Sequence, residues 1–223
     1  MDSFESVVAA ILGRRGYWTQ TSVKVELTRE EKRKIGRHSS PRWELDVVGY
    51  RGASNELLVV ECKSFLDSPG VQVSTFAGKN PDNIKRYKLF FDDVLRKVVL
   101  KRLERQFLAR GFCRSRPVLK LALAAGKVNG DEAWLEAHLR KQGRDFFGPS
   151  AIRAELEALR DIGYENSVAA VVAKILLRGK RATPSNLVSG LLRQEESKAF
   201  EEILSLSATK VFLRRIVSRQ AAA

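Results

Sequence analysis

The run Leu57-Leu58-Val59-Val60, closing on Glu61-Cys62-Lys63, constrains the fold of this chain more than any other feature. A strand with one wet face alternates apolar and polar residues, because successive side chains point to opposite sides of the sheet. An unbroken apolar run of strand length reads instead as a strand covered on both faces, which requires helices above and below the sheet. Breakers bound it, a Gly-containing turn at residues 52–55 and Ser68-Pro69-Gly70 beyond. The spacing therefore predicts a strand over residues 56–63, preceded by another over residues 42–50, the pair forming a hairpin.

The rest of the chain supplies the helices that such a strand needs. Phe4, Val7, Val8, Ile11 and Leu12 recur at helical spacing, with Ser3 as the expected cap and Gly13 and Gly16 at the far end. Residues 17–27 alternate as a strand, and Thr28-Arg29-Glu30-Glu31 has capping-box spacing for a short helix. A polar loop follows over residues 36–41. A long basic helical stretch is expected over residues 82–110 and a fourth strand over residues 117–125. Everything past Gly130 reads as helical, in segments 131–141, 149–162, 167–177 and 184–219, separated by Gly, Pro and Asn. The expected organisation is an α/β core over residues 1–125 followed by a helical C-terminal region over residues 126–223, with no internal repeat.

Charge narrows the function. Forty Lys and Arg stand against 26 Asp and Glu, a net +14, and the pI is near 10.1. Such a field draws in polyanions, and phosphate contacts dominate affinity for nucleic acid. The excess is uneven. Between residues 84 and 120 lie Lys85, Arg86, Lys88, Arg96, Lys97, Lys101, Arg102, Arg105, Arg110, Arg114, Arg116 and Lys120, opposed only by Asp92, Asp93 and Glu104. A phosphate-tracking surface accounts for this with fewer coincidences than a solvated helix face. Lys85, Arg86, Lys88, Arg102 and Arg105 are the candidate nucleic-acid contacts. A second basic segment over residues 29–42, with Arg33 and Arg37, is equally well read as a clamp or as a solvated loop. An anionic membrane surface ranks last, because no basic amphipathic segment carries an aromatic insertion face. No apolar run approaches the roughly 20 residues of a membrane-spanning helix. The N-terminus lacks a signal-peptide pattern, and Cys62 and Cys113 read as free thiols of a reducing compartment. The expected location is the cytoplasm.

The chemistry sits at the end of the apolar strand. Glu61 and Lys63 share a face and Cys62 points the other way, into the packing. In a simple hairpin register Asp46, on the preceding strand, comes beside them. Two carboxylates suit Mg²⁺, which keeps several waters and takes only one or two protein acids. A bound metal can activate water and stabilise charge at phosphorus, and a neighbouring ammonium can position that water or stabilise developing charge. Pairing with the acids also offsets the cost of burying Lys63. The reading against this is a surface hairpin with ordinary ion pairs, which the apolar run disfavours because surface hairpins alternate.

Asp46 followed by Glu61-Cys62-Lys63, on consecutive strands after a first helix, resembles the PD-(D/E)xK nuclease superfamily, to which restriction endonucleases, Holliday-junction resolvases and RecB-type nuclease domains belong. The resemblance covers residues 1–125 and implies a restriction endonuclease-like core, an αβββαβ mixed sheet flanked by helices. It implies that Asp46 and Glu61 bind Mg²⁺, with Mn²⁺ able to substitute, that the Cys62 backbone carbonyl joins them as a ligand, and that Lys63 is catalytic. Members also use an acid from the first helix, and Glu5 is the candidate here. Leu45 stands where the motif's proline would be, a common departure. Gln72 and Tyr87 do not match the Gln and Tyr spacing of the RecB-like branch. The preference for DNA over RNA, and a restriction or defence role ahead of repair or junction cleavage, come from the resemblance alone. The alternatives are a non-cleaving nucleic-acid-binding module, a subunit of a larger complex or homodimer using the C-terminal helices, and an RNA-directed nuclease. The isolated His38 and His138 offer no zinc site with two lone cysteines, Cys113 has no histidine partner to make it a nucleophile, and no phosphate-binding loop of the ATPase type is present.

Overall fold

A computed structural model of the chain describes residues 2–38, 42–161 and 167–177. The molecule is α/β, with a mixed five-stranded sheet flanked by helices. Helix α1 (Ser3–Arg14) leads into β1 (Trp18–Val25), α2 (Arg29–Lys34), β2 (Trp43–Arg51) and β3 (Glu56–Lys63). A short β4 (Val71–Gln72), α3 (Val73–Phe76), a 3-10 turn (Pro81–Arg86), α4 (Lys88–Phe91) and α5 (Asp93–Ala109) lead to β5 (Val118–Ala125). Then come β6 (Val128–Asn129), α6 (Glu132–Lys141), β7 (Asp145–Phe147), α7 (Pro149–Arg160) and α8 (Val168–Leu177). The main sheet runs β1-β2-β3-β5-β7. Strands β1, β2 and β3 pair antiparallel, and β3, β5 and β7 pair parallel. Strands β4 and β6 form a separate parallel pair. No helix among the described residues is long and apolar enough to cross a membrane.

The apolar run behaves as its pattern requires. Leu57 and Val59 enter one core layer with Leu95, Val99, Leu103 and Phe107 of α5 and Leu135 and Leu139 of α6. Leu58 and Val60 enter the other, with Val8, Ile11 and Leu12 of α1 and Ile152 of α7. Strand β5 divides the same way, with Leu121, Leu123 and Ala125 on the α5 side and Ala122 and Ala124 on the α1 side.

Three local expectations need correction. The cap of α1 is Asp2, not Ser3: its extended backbone lets its carboxylate accept from the Phe4 amide at 3.0 Å. The stretch over residues 82–110 is not one helix. The backbone turns extended at Asp92, whose side chain accepts from the Leu95 amide at 2.8 Å and starts α5 afresh. The break lets Tyr87 and Phe90 gather around Phe76, with ring centroids 5.0 and 6.0 Å away, which a straight helix sharing one stripe with α5 would prevent. Finally, the part past Gly130 is not all helical. Strand β7 pairs with β5, Leu123 opposite Phe146, so the compact unit Met1–Arg178 carries its sheet beyond residue 125. The helical expectation over residues 184–219 lies outside the described residues.

Candidate active site

The site is built where the sheet loses its regularity. Strands β2 and β3 pair from Arg51 opposite Glu56 to Val47 opposite Val60, and the ladder stops there although both strands continue. The next residues in that register are Asp46 and Glu61. The Asp46 Oδ2 atom accepts from the Cys62 amide at 2.7 Å, which ties the carboxylate to the end of β3. On its other side, β1 pairs Thr21 with Val47 and Val23 with Leu45, omitting the step between. At that step Ser22 has φ +52°, a left-handed backbone that a non-glycine residue adopts at a cost on the order of 1–3 kcal/mol. The side-chain alternation turns over at the same place: Val47 packs on the α1 side and Leu45 on the α5 side. Asp46 occupies this turnover. Strain held in place by surrounding structure is characteristic of functional sites.

Glu61 and Lys63 share a face as their spacing requires, with the ammonium 3.0 Å from Glu61 Oε1. Their side chains keep only 14% and 21% exposure, so the pair is partly withdrawn from solvent. Cys62 packs the other way, against the α1 layer, and burial drives its thiol far above the usual range, with Asp46 and Glu5 adding to the shift. Burial also raises Glu61, where Asp46 adds repulsion that Lys63 opposes. It raises Asp46 against the opposing pull of the Cys62 amide and Lys63. Glu5, on the first turn of α1, is raised by burial and then by Asp46, and its Oε2 accepts from the Ser22 hydroxyl at 3.4 Å. Asp46 is thus flanked by two further carboxylates that burial raises, Glu5 and Glu61, and Lys63 offsets the charge of Asp46 and Glu61 only in part. Added positive charge relieves such a cluster.

The donor set fits a hard divalent cation. Asp46 and Glu61 could offer two carboxylates and the end of β3 could offer the Cys62 carbonyl, the few protein oxygens that a hydrated Mg²⁺ takes. Among the described residues no group of three or more His, Cys, Asp or Glu side chains is gathered closely enough to hold a metal by side chains alone.

The basic candidates are dispersed. Lys88, on α4, lies near enough to Glu61 to lower it. Lys85 and Arg86 are exposed on the 3-10 turn, Arg105 on α5 and Arg33 on α2. Arg37 stacks its guanidinium over Trp43, 4.8 Å from the ring centre. Arg102 is engaged differently: its Nε–H bridges both Glu31 oxygens at 3.1 and 2.8 Å, fastening α2 to α5. Glu31 completes the capping box of α2 at Thr28.

The left-handed backbone of Ser22 and the burial of Tyr87 beside Glu61 escaped the sequence. Lys88, one of the candidate nucleic-acid contacts, lies by Glu61, a position that spacing along the chain did not show and that depends on the break before α5. Tyr87 is buried, its phenol raised to about 12 by burial and by Glu61. Gln72 instead accepts from the side-chain amides of Asn80 and Asn83, each at 2.8 Å. His38 is exposed, His138 stacks on Trp134 with centroids 4.7 Å apart, and Cys113 is buried.

No protein-family model matches the chain, and no curated protein sequence matches it. A solved structure described as "Protein of Unknown Function AF1548" is similar in part, at 16% sequence identity and a TM-score of 0.38, over 73% of this chain and 71% of that one.

Proposed function

We propose that this chain is a metal-dependent nuclease of the PD-(D/E)xK type, with a restriction endonuclease-like core, that hydrolyses phosphodiester bonds in DNA as an endonuclease. The observation that carries the reading is the meeting of Asp46, Glu61 and Lys63 at the open end of the β2–β3 ladder, where burial raises both carboxylates despite Lys63. Asp46 and Glu61 would hold Mg²⁺ or Mn²⁺, with the Cys62 carbonyl as a further ligand. When bound, the metal supplies a Lewis acid and an acidified water. Lys63 orients the attacking water and stabilises charge on the phosphoryl oxygens as the new P–O bond forms and the leaving oxygen departs. Glu5 acts from α1 by holding the Ser22 kink and adding negative charge beside Asp46. The net +14 of the chain speeds the approach of a polyanion.

The test is cleavage of supercoiled plasmid, duplex DNA, single-stranded DNA and RNA, each with Mg²⁺, Mn²⁺ or EDTA. Metal-dependent cutting of DNA that Lys63→Ala abolishes, with DNA binding retained, is the expected outcome. Wild-type turnover by Lys63→Ala would remove the catalytic assignment. Binding without cutting under every metal condition would leave a nucleic-acid-binding module, and cutting confined to RNA would move the substrate.

A further inference from the structure

A second polar site lies at the other end of β3, and the reaction centre does not use it. A cavity of about 390 Å³ opens beside the edge strand β7, walled by residues of α6, α7 and four strands. Its lining includes Arg15, Arg51, Lys120, Arg140 and Arg144, against the carboxylates of Glu136 and Asp145. The volume is in the range of small-ligand pockets.

The walls are held in place before any ligand arrives. Glu56, only 4% exposed, accepts from the Tyr17 hydroxyl and pairs with both Arg51 at 3.3 Å and Lys120 at 3.0 Å. Two cations on one buried carboxylate leave a charge uncompensated, and Asp145 stands 4.0 Å from Lys120 as a weak second partner. The Arg51 guanidinium also stacks over Tyr17, and that of Arg15 over Phe147 while it binds Glu155. Arg140 pairs with Glu136. When each of these carboxylates is set against one cation, Arg144 is left over. It makes no ion pair among the described residues and rests over the Phe90 ring at 5.4 Å. Burial and then the neighbouring Arg96 hold its guanidinium below the ordinary value, and Asp93, already paired with Arg96 at 2.5 Å, opposes them only in part.

We propose that this cavity binds a phosphomonoester, with Arg144 and Lys120 as its principal contacts. The terminal phosphate of a nucleotide or of a nucleic-acid strand carries close to two negative charges, where an internal phosphodiester carries one. It therefore suits a confined set of cations held on aromatic faces, and the guanidinium of Arg144 is shaped to engage two of its oxygens. The shared chemistry is the phosphomonoester group, offered either by a free nucleotide or by a 5′-phosphorylated end. The site depends on no residue of the reaction centre and stands whether or not the chain is a nuclease.

The experiment is calorimetric titration of the full chain in EDTA with adenosine monophosphate, adenosine, and a short oligodeoxynucleotide bearing either a 5′-phosphate or a 5′-hydroxyl. We expect a phosphorylated probe to bind at least about tenfold more tightly than its unphosphorylated counterpart, the scale of one charge-assisted contact. Arg144→Gln should remove that preference, Arg144→Lys should restore part of it, and Lys24→Gln, an exposed cation on β1 at the opposite edge of the sheet, should leave it intact. Far-UV circular dichroism keeps folding separate from binding. Preference for the mononucleotide identifies a free nucleotide as the source, and preference for the oligonucleotide identifies a strand end. Equal binding of phosphorylated and unphosphorylated probes overturns the proposal, as does an unchanged preference in folded Arg144→Gln. Lys63→Ala should leave every affinity unchanged, and a loss there would place the binding at the reaction centre instead.

Discussion

Asp46 is held in a position that favours binding a cation over its own stability. Burial removes its water while Glu44 and Asp2 repel it, and the Cys62 amide and Lys63 compensate only in part. A carboxyl whose folded-state proton affinity is raised binds its proton more tightly folded than unfolded. Stability therefore falls as pH climbs from the ordinary carboxylate range through the raised value, and the penalty is absent below it. In the metal-free protein, Asp46→Asn should accordingly raise the Tm at neutral pH by about 2–4 °C, the equivalent of ~1 kcal/mol in a chain of this size, with the gain vanishing in acid. The same substitution should abolish Mn²⁺ binding, while Glu5→Gln lowers affinity about 10–100-fold, as expected of an acid acting from behind the ligands. Calorimetry on both variants decides: binding lost in Glu5→Gln but kept in Asp46→Asn would move the metal to α1. Gly126 offers a steric test. Its amide donates to the Lys63 carbonyl at 2.9 Å, and a Cβ there would overlap the Ser64 carbonyl oxygen. Gly126→Ala must shift the backbone that carries Lys63, and the expected loss of cleavage is on the order of 100-fold with DNA affinity unchanged.

At the scale of elements, α5 separates two kinds of arginine that look alike in sequence. Lys97, Lys101 and Arg105 lie exposed at successive four-residue steps, one stripe of the helix. Arg102 points away from it, to Glu31, at 20% and 15% side-chain exposure for the pair. If the stripe meets phosphates, replacing Lys101 and Arg105 with Ala should each reduce the log–log salt slope of DNA binding by about 0.9. Arg102→Ala should leave that slope unchanged and instead cost about 1–3 kcal/mol, since it strips a partly buried carboxylate of its charged partner. Binding isotherms at several salt concentrations, beside denaturant melts, separate the two effects. An Arg102→Ala slope that falls with the others would show that α2 swings aside to release this side chain to the ligand.

At the scale of the molecule, the sheet does not close at β5. The parallel pairing of β5 with β7 brings Phe147 and Ile152 into the α1-side core, and α6 brings Leu135 and Leu139 into the other. Each such side chain contributes roughly 1.5–3 kcal/mol by burial. Together they approach the whole stability of an average domain, about 5–15 kcal/mol. A chain ending at residue 125 should therefore show no cooperative thermal transition, whereas one ending at residue 178 should melt cooperatively. A cooperative melt of the shorter chain, followed by far-UV circular dichroism, would restore the boundary that the strand pattern suggested.

What the sequence alone determined was local or periodic. The two-sided burial of β3, the capping box at Thr28, the hairpin with β2 and the shared face of Glu61 and Lys63 all follow from spacing along one chain. What only the tertiary structure decided depends on neighbours distant in sequence. Ser22 is left-handed because β1 must follow β2 through its turnover at Asp46. The long basic helix breaks at Asp92 because Tyr87 and Phe90 pack around Phe76. The three residues of β7 are too few to carry a period and become a strand because β5 presents a free edge. Arg102 and Arg144 carry the same charge as their neighbours in sequence. One is paired with a carboxylate and the other makes no ion pair among the described residues, a difference set by which elements pack together.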